Sequence, residues 1–174
     1  TGSGTGCRRE LPAFALDVAA LGGMYAGKIT LVGTEAGLGV RNAGTVQATG
    51  AGGLVVTADG RLENTGTLQA TASSELRTRS LANSGSIASG GHLGIATQDT
   101  LANTDGGTLA AAHLELASSA GDIDNRGGTI RQTSSAAMNI AAARLSNTAG
   151  GVVGLGPVAQ APGPGTAPGT DHYV

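Results

Sequence analysis

Asparagine recurs through this chain in one fixed setting, at Asn42, Asn64, Asn83, Asn103, Asn125 and Asn147, at intervals of 22, 19, 20, 22 and 22 residues. An aliphatic residue stands two positions before each of them: Val40, Leu62, Leu81, Leu101, Ile123 and Leu145. Glycine follows closely, and then a second aliphatic: Val46, Leu68, Ile87, Leu109, Ile130 and Val153. A third apolar pair closes most units, as Leu54/Val56, Leu93/Ile95, Leu114/Leu116 and Met138/Ile140, whereas the second unit has Leu76 alone. Internal periods of this length mark solenoids and related repeat folds.

Within each short run apolar and polar residues alternate, which is the period of a strand with one buried face. Helical spacing fails throughout, and glycine as frequent as this would cost a helix about 1 kcal/mol at every occurrence. Each unit therefore holds three strands too short to persist alone. Stacked on a copy of itself, every strand gains a parallel partner about 4.8 Å away and every aliphatic a like neighbour. The predicted fold is all-β, a parallel β-helix of about six coils. Composition agrees: the chain has no Trp, one Phe (Phe14) and two Tyr (Tyr25 and Tyr173). Aromatics normally supply much of a globule's buried area, so the interior here must be built as many thin layers of Leu, Ile, Val and Ala.

The asparagines then have a physical reason. If the aliphatic two residues earlier points inward, so does Asn, at the corner where the first strand turns. A buried amide is tolerated only when its hydrogen bonds are made, and stacked Asn side chains can bond one another and the turn backbone. The expectation is a structural ladder of Asn42, Asn64, Asn83, Asn103, Asn125 and Asn147. Later units read "NTDGGTL", "NRGGTI" and "NTAGGVV", with one or two added residues. An odd insertion inside a strand would reverse every later side chain, so the additions belong to the turn. Past residue 154 the repeat dissolves, and four of the five prolines fall in the last 20 residues. That stretch cannot continue a coil and reads as disordered linker. The domain reading is a leader over 1–19, a shaft over 20–154 and a Pro/Gly-rich tail over 155–174.

The repeat L-x-N-x-G-x-[IL]-x-A, over roughly Val40 to Val153, and the segment "ALGGMYAGKITLVGTEAGLGVRNAG" from Ala20 to Gly44 together resemble the filamentous haemagglutinin family, the large exoproteins of bacterial two-partner secretion. The resemblance implies a right-handed β-helical shaft, exported through an outer-membrane transporter that recognises an amino-terminal secretion domain. It further implies display on the surface of a Gram-negative cell, where a receptor or glycan is met. The leading reading is an adhesin shaft; the alternative is the shaft of a contact-dependent growth-inhibition toxin. The secretion domain expected before Leu11 is not in the sequence, and no signal peptide is recognisable, so a fragment or truncated gene product is expected. Bare end coils would expose unpaired strand edges, and end-to-end self-association is expected.

Other chemistries find little support. Lys+Arg and Asp+Glu number 10 and 12, giving a net charge of −2, without the basic stripe and stacking aromatics of a nucleic-acid binder. No apolar run approaches the roughly 18 residues of a membrane helix. Cys7 lies in a Gly/Ser/Thr-rich leader with no matched His and can form neither an internal disulfide nor a zinc cluster. A β-helical polysaccharide-degrading enzyme would need clustered acids on one face. Asp59, Glu63, Glu75, Asp99, Asp105, Glu115, Asp122 and Asp124 fall at differing places in the repeat, and Asp122 and Asp124 merely flank Ile123. His92 and His113 stand at matching places in adjacent units, yet two ligands without a third make a poor metal site; His172 is a tail residue. The Thr/Ser column Thr45, Thr67, Ser86, Thr108 and Thr129 reflects strand propensity, and Arg77 and Arg79 are two exposed cations. No catalytic, cofactor or metal residue is assigned, and no cofactor is called for.

Overall fold

A computed structural model describes residues 14–18, 22–35 and 37–156. The leader residues 1–13, with Cys7, and the tail residues 157–174, with His172 and Tyr173, lie outside the described residues. The described chain is all-β, a parallel solenoid of about six turns in which fourteen strands belong to one continuous sheet. Every strand-to-strand pairing is parallel, and each strand pairs with strands of the neighbouring coils.

Three faces wind around the buried interior. The first is made by β1 (Phe14–Val18), β3 (Gly39–Asn42), the end of β4 (Thr45–Asn64), the end of β6 (Ser74–Asn83), β8 (Leu101–Thr104), β10 (Ile123–Arg126) and β13 (Leu145–Thr148). The second runs from the start of β2 (Gly23–Gly33) through the start of β4, β5 (Thr67–Ala70), the starts of β7 (Ser86–Thr97) and β9 (Thr108–Ser118), then β11 (Thr129–Gln132) and β14 (Val152–Leu155). The third joins the later parts of β2, β4, β7 and β9 with the start of β6 and with β12 (Asn139–Ala141). Several strands continue around a corner, so β4 is 20 residues long where separate short strands were expected. Its register shifts between Ala58 and Arg61, where Gly60 lies against the backbone of Leu38 and leaves no room for a Cβ.

The aliphatic columns set the register. Val40, Leu62, Leu81, Leu101 and Ile123 pair in succession and are almost wholly buried, and Val46, Leu68, Ile87, Leu109 and Ile130 form the second stack. On the third face Ile29 lies beside Leu54 and Leu31 beside Val56, so Gly23–Gly33 supplies the coil beneath the first full repeat. The unit with Leu76 alone keeps its place, because Ser74 fills the position of Leu54 and Leu93 and accepts a 2.7 Å hydrogen bond from Ser89 Oγ. Each Val/Leu/Ile of these columns contributes about 1.5–3 kcal/mol by burial. The residues added in later units sit in the turns: Asp105 and Gly106, Gly127, and Ala149 and Gly150 have φ between 51° and 85°. That left-handed region is cheap for glycine and rarer for Ala. At the amino end, Phe14–Val18, inside the 1–19 leader segment, pairs with β3.

Candidate functional site

The six asparagines share one inner corner. Asn42 Nδ2 donates to Asn64 Oδ1 at 2.8 Å, Asn64 to Asn83 at 2.8 Å, Asn83 to Asn103 at 2.7 Å, Asn103 to Asn125 at 2.8 Å and Asn125 to Asn147 at 2.7 Å. Each of the first five amides also donates to two carbonyls. One belongs to the turn glycine of its own coil, as Asn83 to Gly85 at 3.2 Å. The other belongs to the next coil, as Asn83 to Thr108 at 3.2 Å. The side chain thus ties the first strand, the turn and the following coil at one point. All but Asn147 are fully buried.

The column has a direction, since every amide donates toward the carboxy-terminal coil. In the first coil Val18 stands opposite Asn42, and Asn42 Oδ1 is a buried acceptor with no partner among the described residues. At the other end Asn147 is exposed and donates to Gly151 O at 2.9 Å. Around it Leu145 is 44 % and Leu155 64 % exposed, although their counterparts one coil earlier, Ile123 and Gln132, are buried. The glycines after each Asn keep this corner open. A Cβ on Gly128 would lie 2.7 Å from Asn125 Oδ1, and one on Gly151 would lie 2.9 Å from Asn125 Nδ2.

Three further polar arrangements lie outside the Asn column; the matching places of His92 and His113 announced the last of them, and the other two were not read from the sequence. Gln132 takes the inward place held by Ala70 and Ala111 in earlier coils, where the last third-face strand is short. It accepts from Leu114 N at 2.9 Å and donates to Ser134 O and Ala136 O at 3.3 and 2.5 Å. Thr78 and Thr97 at the third corner donate to Ser80 O and Asp99 O, each at 3.0 Å, and Ser118 donates to the same Asp99 carbonyl. His92 and His113 stack with ring centroids 5.4 Å apart and planes at 29°, and His92 Nε2 lies 3.3 Å from Glu75 Oε1.

The outward carboxylates are dispersed. Asp17 pairs with Arg41 at 2.7 Å on the first face, and Arg61 stands 3.9 Å from Glu63. The hydrogen bond to Asp17, together with that carboxylate's charge, raises the Arg41 pKa above its ordinary value, and Arg41 also lies over the Phe14 ring at 5.3 Å. Asp122 and Asp124 flank buried Ile123. Among the described residues no three His, Cys, Asp or Glu side chains converge to hold a metal ion. The Thr45, Thr67, Ser86, Thr108 and Thr129 column lies in register on the second face, with Val152 following it.

No protein-family model matches the chain, and no solved structure matches it. Two curated proteins are similar over part of it. "Toxin CdiA" of Yersinia pestis is 64% identical over 58 residues, which is 33% of this chain and 2% of that protein. "tRNA nuclease CdiA-2" of Burkholderia pseudomallei (strain 1026b) is 53% identical over 51 residues, 29% of this chain and 2% of that protein. The chain therefore spans a small fraction of the length of the curated relatives it matches.

Proposed function

We propose that this chain is a length of the solenoid shaft of a contact-dependent growth-inhibition exoprotein. The observation that carries the reading is the 64% identity to a CdiA toxin over 58 residues. A β-solenoid fold constrains the inward aliphatics, the Asn and the turn glycines, which are a minority of each coil. Outward positions are free to drift without cost to packing. Identity this high extends well past the constrained columns and supports common descent, which a shared architecture alone would not give. The adhesin reading, first by sequence alone, yields to the toxin shaft, because both relatives carry toxin or nuclease names. The nuclease activity in the Burkholderia name belongs to that protein, and this chain's part in it is mechanical.

In this reading identical coils stack, hide their strand edges in one another and set a distance between the cell surface and the end that acts. Export through a two-partner secretion transporter and display on a Gram-negative surface follow from the same reading, as does the Asn column acting as a corner brace. Catalysis, a cofactor and nucleic-acid binding have no part in it. A chimera tests it. This chain's matching stretch replaces the 58 aligned residues of the Yersinia toxin, and surface display and growth inhibition of susceptible neighbours are measured. Retention of both is expected. Loss of display or inhibition, with the swapped segment protease-resistant, would refute the shared role.

A further inference from the structure

The third face has one place where neighbouring coils differ in size instead of repeating. Strand register sets Glu75 and Arg77 on one coil, Gly94 and Ala96 on the next, and Glu115 and Ala117 on the one after. Long side chains thus stand on both sides of a low centre. Two hollows of about 350 and 290 Å³ share Arg77, Ala96 and Ala117 as their lining. Arg79 and Gln98 extend the rim of the larger one toward the corner.

The groups around this hollow are positioned, not merely exposed. A Cβ on Gly94 would come within 2.8 Å of both Glu75 carboxylate oxygens, so that carboxylate lies across the glycine. His92 holds it from the side at 3.3 Å, and His92 is itself stacked on His113. Arg77 and Arg79 have no carboxylate within ion-pair distance among the described residues. Their guanidiniums remain available as donors.

Charge decides what fits. Three carboxylates, Asp59, Glu75 and Glu115, are interspersed with the two guanidiniums, so an anion meets a carboxylate and a cation meets Arg77 and Arg79 wherever it settles. There is no aromatic platform for a base. A carboxylate accepts from hydroxyls, and guanidinium and amide groups donate to hydroxyl oxygens. A methyl floor accepts the C–H face of a ring. The volume falls at the lower end of small-ligand sites. We infer that the hollow over Gly94, Ala96 and Ala117 binds a neutral saccharide, with Glu75 accepting from its hydroxyls and Arg77 and Gln98 donating to them. This site stands independently of the shaft reading.

The test uses the full 174-residue chain with maltohexaose, mannohexaose and hexagalacturonate as probes. The ring-proton NMR signals of His92 and His113 report the site, and His172 serves as the internal reference. At least one neutral hexasaccharide should shift the His92 and His113 signals saturably. Arg77→Ala and Glu75→Gln should each weaken that binding roughly tenfold, the loss of one charge-assisted hydrogen bond. Gly94→Ala should weaken it as well by displacing the carboxylate, and Thr45→Ala on the second face should leave it unchanged. Glu75→Gln preserves size and serves where Gly94→Ala melts early. The inference is overturned if neither neutral probe moves these signals, if hexagalacturonate alone does, or if Arg77→Ala and Glu75→Gln bind as the parent chain does.

Discussion

Removing one rung from the middle of the asparagine column should cost more than removing a rung at either end, and the hydrogen bonds say by how much. Asn83 accepts from Asn64 and is the donor to Asn103 Oδ1. In Asn83→Ala the Asn64 amide keeps its bonds to Gly66 O and Ser86 O. Gly85 O keeps the Thr108 N–H at 2.8 Å. Asn103 Oδ1 keeps nothing, since Asn83 is the donor it has, and it is fully buried. A buried acceptor left without a partner costs about 1–3 kcal/mol. Taking about 2 kcal/mol as the middle value, the melting midpoint should fall by roughly 4–8 °C for a domain of this size.

Asn42→Ala changes the count differently. It deletes an oxygen that is already unpaired and orphans that of Asn64 instead, so the number of buried unpaired ladder oxygens stays the same. Asn147→Ala orphans no ladder oxygen, because the Asn125 amide retains Gly128 O and Val152 O. The expected order of destabilisation is therefore Asn83, then Asn42, then Asn147. Thr67→Ala, whose side chain faces outward, should stay within about 0.5 kcal/mol of the parent. Thermal melts followed by far-ultraviolet circular dichroism read all four. Equal shifts for Asn83→Ala and Asn147→Ala would refute the reasoning, because only the first removes a buried rung and leaves an acceptor behind.

Two further outcomes follow from the same corner. Gly107→Ala should destabilise more than Gly106→Ala: a Cβ on Gly107 would strike the Asn83 carbonyl and lie 2.6 Å from Asn103 Oδ1, whereas Gly106 faces open space and carries only the strain of φ +85°. Paired melts decide it, with a Gly106 penalty of about 1 kcal/mol. Deleting residues 101–122 should leave a folded, shorter rod, because Ile123 then meets Leu81 in the place of Leu101 and Asn125 meets Asn83. Deleting Ala110 alone should reverse every later side chain of its strand, and limited proteolysis should cut that variant within the later coils while sparing the shorter rod.

Much of the fold was legible because it rests on identities that recur. Leu62, Leu81 and Leu101 announce a column by standing at one place in three units, and alternation around them fixes which side is inward. The same regularity made the Asn register visible. It did not give the direction of the column, which depends on which amide end each carbonyl meets. Corners were harder. The long β4 could not be foreseen, because continuity around a bend depends on close backbone approach at Gly60. Gln132 was invisible for a related reason: its two ends satisfy Leu114 N, Ser134 O and Ala136 O only where the following strand begins late. The His92–Glu75 contact joins residues from different coils at different places in the repeat, and no single-coil pattern contains it.

The direction of the asparagine column bears on how long a rod of this repeat should be. A column in which each member donates forward must leave an acceptor unpaired where it starts, and here that acceptor is Asn42 Oδ1 beside Val18. The cost is incurred once. Every further coil adds an Asn whose oxygen is met by the rung before it, together with a fresh layer of buried aliphatics. In a solenoid, stability is close to a sum of repeat and neighbour terms with fixed contributions from the ends, so the burden per coil falls as coils are added. The exposed Leu145 and Leu155 lower the stability of a short rod in the same once-only way. A repeat with these properties favours long shafts over short ones, and the relatives it resembles are proteins of which the matched stretch spans 2%.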